Sequence, residues 1–217
     1  MTTTKPRVAI YGGSFDPVHN GHIAIGRKLL PMFALDKFIF VPAFHAPHKP
    51  HRKPTSAFHR YAMLCLATKD DDRIEVSQME FEAPEKPYTI DTLSRLVSIM
   101  PETDIYFVMG ADSWQDIRTW RQWEDVLLLT DHIVVTRPGF PIDFEHVTDA
   151  ARERIVELRG GRHFEPDGGK HIYITDAVEL SISATEIRAD IREGGGSHLS
   201  EMPDEVAKYI EKYQIYK

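Results

Sequence analysis

Cysteine is nearly absent from this chain: Cys65 is the only one in 217 residues. A lone thiol excludes an intrachain disulfide and fits a cytoplasmic setting. Flanked by Met63, Leu64 and Leu66, it reads as packed rather than reactive. No apolar run approaches the roughly 20 residues of a membrane-spanning helix, and the opening Met-Thr-Thr-Thr-Lys-Pro lacks the apolar core of a signal peptide. Positive charge is in deficit, 26 Lys and Arg against 33 Asp and Glu, for a net −7. That balance excludes a broad basic surface for nucleic acid but not a small polyanion met by local charge. Two phosphate-loop spacings are missing as well. No Gly-Lys-Ser/Thr ends a glycine loop, and no Gly-x-Gly-x-x-Gly opens a dehydrogenase-type dinucleotide fold. Internal repeats and low-complexity tracts are also lacking. What remains is ordinary globular composition, 42% hydrophobic and 27% charged. The length suits one domain over 1–217, with 180–217 as a helical C-terminal subregion.

The most informative run is Gly12-Gly13-Ser14-Phe15-Asp16-Pro17-Val18-His19-Asn20-Gly21-His22. It lies between a short apolar strand, Arg7 to Tyr11, and a helix predicted over Gly21 to Phe33 from its apolar face of Ile23, Ile25, Leu29, Leu30 and Phe33. The first N–H groups of a helix lack intrahelical partners and its dipole favours anions, so such a turn suits phosphate. His19 and His22 share one face at this spacing. Gly21 between them brings no Cβ to block a ligand. A tight Asp-Pro turn with a histidine at a helix start is the purely structural alternative.

Strand and helix signals alternate from there. Strands are expected at Lys37–Val41, Arg73–Val76, Ile105–Met109, Ile133–Thr136 and His171–Ile174. Helices are expected from Ser56 to about Lys69, over Thr89–Ile99, around Gln122–Leu129, over a polar stretch from about Asp143 to Leu158, and at Ala184–Glu193 and Pro203–Tyr213. The alternation predicts an α/β fold, a Rossmann-like doubly wound, mostly parallel sheet with helices on both faces. Ligands of such sheets bind beyond the carboxyl ends of the strands. The glycine turn, the loop after Val41, Gly110 and Arg137 all follow predicted strands and fall on that rim.

Ile182-Ser183-Ala184-Thr185-Glu186-Ile187-Arg188 is the second strong element. Ser183 and Glu186 have capping-box spacing, which many helices use for structural reasons alone. The same hydroxyls, with an arginine one turn in, also make an anion site. The loop Pro42 to Pro54 carries His45, His48 and His51 around Lys49. A structural zinc site would want four ligands, and cysteine is absent there. No protein-held metal is expected, and Lys49 reads as a cation brought over phosphates.

The histidine run resembles the signature of the nucleotidyltransferase superfamily, and Ile182–Arg188 resembles its late Ile-Ser-x-Thr-x-Ile-Arg element, in the correct order. The Pro-His-Lys loop is similar to that of the bacterial nicotinate mononucleotide adenylyltransferases. So are Tyr88-Thr89-x-x-Thr92-Leu93, Gly110-Ala111-Asp112-Ser113, Thr119-Trp120, Arg137-Pro138-Gly139 and the closing Pro203–Ile210 helix, which extends the likeness along most of the chain. The resemblance implies transfer of AMP from ATP to nicotinate mononucleotide, releasing pyrophosphate in NAD biosynthesis, with magnesium held mainly through ATP phosphates. It implies His19, His22, Lys49 and Arg188 as the catalytic cations. It implies ATP contacts from Gly12, Gly13, Ser14, Phe15, Gly21, Gly110, Asp112, Arg137, Ile182, Ser183 and Thr185. Acceptor contacts are implied for Asp16, Tyr88, Thr89, Trp120 and Arg121. Two departures stand out: Ser14 replaces a common threonine, and Arg121 stands where an aromatic is frequent.

The alternatives are an adenylyltransferase for nicotinamide mononucleotide or phosphopantetheine, a cytidylyltransferase, and a nucleotide-binding regulator without catalysis. Phosphopantetheine enzymes usually carry threonine where this chain has His19. Intact imidazoles and Arg188 speak against a regulator. Neither the choice between acid and amide acceptors nor the oligomeric state is set by the sequence, and a homo-oligomer stays open.

Overall fold

The computed structural model describes residues 5–44, 54–83, 87–136, 142–160, 164–165, 168–178 and 182–217. Among these residues seven strands are formed: β1 (Arg7–Gly13), β2 (Lys37–Pro42), β3 (Ile74–Val76), β4 (Asp104–Gly110), β5 (Asp131–Val135), β6 (Ile155–Glu157) and β7 (Ile172–Thr175). They make one sheet in the order β3-β2-β1-β4-β5-β7-β6, and every described pairing is parallel. The helices are α1 (Asn20–Met32), α2 (Ala57–Thr68), α3 (Thr89–Ile99), α4 (Ala111–Gln115), α5 (Trp123–Leu129), α6 (Asp149–Arg152), α7 (Ala184–Arg192) and α8 (Asp204–Tyr213).

Alternate strand residues point to opposite faces, and each face builds its own core. On one side Ala9, Tyr11, Phe38, Phe40, Tyr106 and Val108 pack with residues of α1, α2, α7 and α8, among them Leu29, Met63, Ile187 and Val206. On the other, Val8, Ile10, Phe107, Met109, Val134 and Ile174 pack with α3 and α5 through Leu93, Leu96, Val126 and Leu127. This is the doubly wound arrangement expected from the alternation. The strand order reverses between β1 and β4, so their carboxyl ends open the crevice in which such sheets bind ligands. Gly12, Gly13 and Gly110 end these two strands.

One expected element is corrected. The polar helix over Asp143–Leu158 shrinks to α6, and Ile155–Glu157 instead forms edge strand β6 beside β7. The Thr148 side chain caps α6 by accepting from Ala151 N at 3.4 Å. Arg154 then ends it, its guanidinium donating to the carbonyls of Lys170 at 2.6 Å and Leu127 at 2.5 Å. The β-branched pair Ile155–Val156 prefers the pleated edge that this anchor presents. Ser56 sits at the N-cap of α2, as expected, but without a side-chain cap bond. Cys65 is half-buried, with burial, above all, pushing its thiol pKa up.

Candidate active site

The site is built on the turn from β1 into α1. His19 caps α1 in an extended conformation, and its backbone N–H donates to His22 Nδ1 at 3.3 Å. An Nδ1 that accepts carries no hydrogen, so the ring proton of His22 sits on Nε2, which is thereby a donor. The two imidazoles stack at 3.6 Å between centroids, 24° from parallel. Phe15 meets His22 edge-on at 5.0 Å and fixes the ring from its other side. Gly21 is needed at the step between them: a Cβ there would lie 3.1 Å from His19 Nδ1. His19 itself is buried, 5% exposed.

The turn is held by groups remote in sequence. Arg188 Nη1 donates to the Asp16 carbonyl and Nη2 donates to Thr185 Oγ1 at 2.9 Å. From α2, Arg60 reaches under the turn at only 1% exposure. Its guanidinium donates to the carbonyls of Ser14 (2.6 Å), Ala43 (2.6 Å) and Thr55 (3.0 Å). Burial lowers the Arg60 pKa, and the opposing charge of Asp16 works to restore it. Ala43 N donates to Gly13 O at 2.9 Å. The carbonyls of Gly13, Ser14 and Asp16, dipoles that would repel a phosphate, are thus all engaged by protein donors.

Two recesses flank this turn. A cavity of about 260 Å³ lies on one side, lined by Gly12, Gly13 and Ser14 with Tyr88, Thr89, Asp112, Trp120 and Arg121. Tyr88 caps α3 and its N–H donates to Asp91 Oδ2 at 2.9 Å. Trp120 stands in extended backbone after a 3-10 turn at Ile117–Thr119, its ring 6.2 Å from that of Phe107. A smaller cleft of about 30 Å³ lies on the other side, lined by His19, Gly21, His22, Gly110 and Ile182.

Gly12, Gly13, Ser14 and Asp112, expected at ATP, line the same cavity as the acceptor candidates Tyr88, Thr89, Trp120 and Arg121. Phe15 is 3% exposed and packs against Tyr11 and Phe40, so its side chain belongs to the core. Asp16, expected at the acceptor, is not among the residues that line that cavity. It is 7% exposed, and its carboxylate accepts from Tyr216 Oη at 2.7 Å and Thr55 N at 3.4 Å. Ser183 caps α7, its hydroxyl accepting from Glu186 N at 3.4 Å. Lys49, Arg137 and the histidines at 45, 48 and 51 lie outside the described residues.

Sequence reasoning missed Arg60, Tyr216 and Glu80. Arg60 had a signal: it falls on the same buried stripe of α2 as Ala57, Met63, Leu64 and Ala67, where a charge must find partners. Glu80 lines the larger cavity. Its carboxylate accepts from Phe44 N at 3.0 Å and Thr92 Oγ1 at 3.1 Å, while burial raises its pKa.

A model of the cytidylyltransferase-like family matches residues 10–190. The chain is 37% identical over 212 residues to a protein of Desulfitobacterium hafniense (strain Y51) named as a probable nicotinate-nucleotide adenylyltransferase, covering 97% of this chain and 96% of that one. It is 38% identical over 212 residues to a protein of Thermoanaerobacter sp. (strain X514) with the same name, covering 97% and 94%. The fold matches that of Plasmodium falciparum nicotinic acid mononucleotide adenylyltransferase complexed with NaAD, with a TM-score of 0.75 at 22% identity over 97% of both chains.

Proposed function

The chain belongs to the cytidylyltransferase-like family, and from that premise we propose that it joins the AMP moiety of ATP to nicotinate mononucleotide, yielding nicotinate adenine dinucleotide and pyrophosphate. The names of its relatives support this acceptor. The observation that carries the chemistry is the stacked pair His19 and His22 at the switch point of the sheet, with Arg188 tied to the same turn.

An oxygen of the acceptor phosphate attacks the α-phosphorus of ATP. The new O–P bond forms as the bond from that phosphorus to the β-phosphate bridge breaks, and pyrophosphate leaves with the electron pair. A phosphate monoester is already nucleophilic, so neither a covalent intermediate nor a general base is required. The protein has to hold two anions together: unit charges ~4 Å apart repel by ~4 kcal/mol at an effective dielectric of about 20. His22 meets developing charge with the Nε2 hydrogen that its Nδ1 bond fixes. His19 supports that ring, and Arg188 and Lys49 add positive charge. The nucleotide approaches the turn from the side of His19, His22, Gly110 and Ile182, and the pyridine nucleotide enters the cavity at Tyr88, Thr89 and Trp120.

Magnesium fits this donor set as a substrate-borne ion. Among the described residues no group of three His, Cys, Asp or Glu is arranged to hold one, and magnesium commonly keeps water and binds through phosphates. Asp112, exposed on the rim, is the carboxylate offered to its water shell. When bound, the ion neutralises phosphate charge. No helix among the described residues is long and apolar enough to cross a membrane.

Pyrophosphate release from ATP, measured with nicotinate mononucleotide, nicotinamide mononucleotide and phosphopantetheine in turn, tests the acceptor. The nicotinate compound should give the highest kcat/KM, and release with none of the three would refute the reading. His22→Ala should lower turnover about a hundredfold or more, on the scale of losing one preorganised donor. Near-normal turnover would remove His22 from its assigned role.

A further inference from the structure

We infer that Arg121 is the residue through which this chain prefers an acid over an amide acceptor, by pairing with the carboxylate of a pyridine-carboxylate mononucleotide. The inference rests on the proposed reaction and adds a determinant of its specificity.

The cavity at Tyr88 and Trp120 has acidic walls. Glu80, Asp112 and Asp116 line it, and among the described residues that do so Arg121 is the sole cation. Of the charged side chains that line the cavity, only that guanidinium attracts a ring carboxylate, whereas a neutral amide offers it no charge to pair with. The dipole at the start of α3 assists any oxygen acceptor, a carbonyl of the amide included, so it discriminates less sharply than a full charge.

Arg121 is also seated. Its guanidinium lies over the Tyr88 ring, 4.9 Å from the centroid, and a cation–π contact of this kind restrains an otherwise exposed side chain. The backbone of Tyr88 is held by the bond from its N–H to Asp91. On the other side, Gln122 takes a left-handed conformation, φ 51°, and its side chain donates to Asp125 Oδ2 at 3.2 Å. This reversal ends the segment that carries Trp120 and Arg121 past the cavity just before α5 begins. Apolar ring packing and the charge that reads the ring substituent therefore come from adjacent residues.

The test is kcat/KM on nicotinate and nicotinamide mononucleotides for the unaltered protein, Arg121→Gln, Arg121→Lys and Tyr88→Leu. Arg121→Gln should cut the acid-to-amide ratio about tenfold, chiefly through KM for the acid. Arg121→Lys should keep part of the ratio, since charge remains but the planar fork is lost. Tyr88→Leu should lower it by less than Arg121→Gln does. Added salt should erode the ratio of the unaltered protein and leave that of Arg121→Gln nearly flat. Equal losses on both acceptors, or an unchanged ratio, would overturn the inference while an acid-preferring parent left the proposed reaction standing. A parent that used neither mononucleotide would overturn both.

Discussion

Replacing Arg60 with methionine tests the idea that a buried guanidinium shapes the active turn. Methionine keeps much of the side-chain length and removes every donor, leaving the carbonyls of Ser14, Ala43 and Thr55 without their bonds of 2.6, 2.6 and 3.0 Å. Each orphaned buried acceptor costs ~1–3 kcal/mol, so three set an upper bound of roughly 9 kcal/mol. Two effects lower that figure. The guanidinium no longer has to be desolvated, a burden visible in its lowered pKa, and water can enter beside a smaller side chain. A net loss of about 2–4 kcal/mol is expected, which a domain of ordinary stability, ~5–15 kcal/mol, survives. Activity should suffer more than folding. Freed from Arg60, the Ser14 carbonyl can turn toward the phosphates, and a shift of about 1 Å in a positioned group costs ~100-fold. Urea denaturation gives the stability term, and initial rates normalised to folded protein give the second. Arg60→Lys should fall between, since one ammonium cannot reach three carbonyls in a plane. A folded Arg60→Met protein with unaltered kcat/KM would refute the reasoning.

Two other predictions concern a buried histidine and a lysine. His132 is fully buried; desolvation and then the charge of Arg154 push its pKa down to about 3, from 6.5. The unfolded chain takes up this proton near pH 6.5 and the folded chain does not, so the stability is complete above 6.5 and drains as pH falls toward 3, by up to ~1.4 kcal/mol per pH unit. Between pH 7 and 5 the parent should therefore lose ~2 kcal/mol more in urea melts than His132→Leu; parallel profiles would exclude His132 as the cause. Lys49→Ala should raise the apparent KM for both substrates with a smaller effect on kcat, if that loop chiefly recruits anions. Unchanged steady-state constants would take Lys49 out of the site.

The alternating apolar runs made most of the fold legible, because buried parallel strands and amphipathic helices each have their own period. β6 was hidden because three residues at a sheet edge have too little length to show a period, and the tertiary anchor through Arg154 decides their pairing. The stacked histidines follow from a local spacing on one helix start. Arg188 carried a local signal, an arginine one turn into a hydroxyl-bearing helix start, but nothing local says that α7 returns to the turn after β1. Asp16 illustrates a different gap. Its place in the signature says nothing of its protein partners, Tyr216 and Thr55, one of them near the far end of the sequence.

That pattern of partners explains how a chain of net charge −7 can present a site for polyanions. Pinning an arginine with a carboxylate fixes its position but cancels its charge. Here Arg188 is pinned by a peptide carbonyl and a threonine hydroxyl, and Arg60 by three carbonyls. Neutral acceptors of this kind satisfy donors without neutralising their charge. Asp16 stands nearest to cancelling it, and its negative charge is spread onto a tyrosine hydroxyl and a backbone N–H. Tyr216 in turn stays protonated, its pKa raised by burial and then by the charge of Asp16, and remains a donor throughout the working pH range. The turn is thus stiffened by two guanidiniums that hold it through neutral acceptors, and it has little reorganisation left to perform.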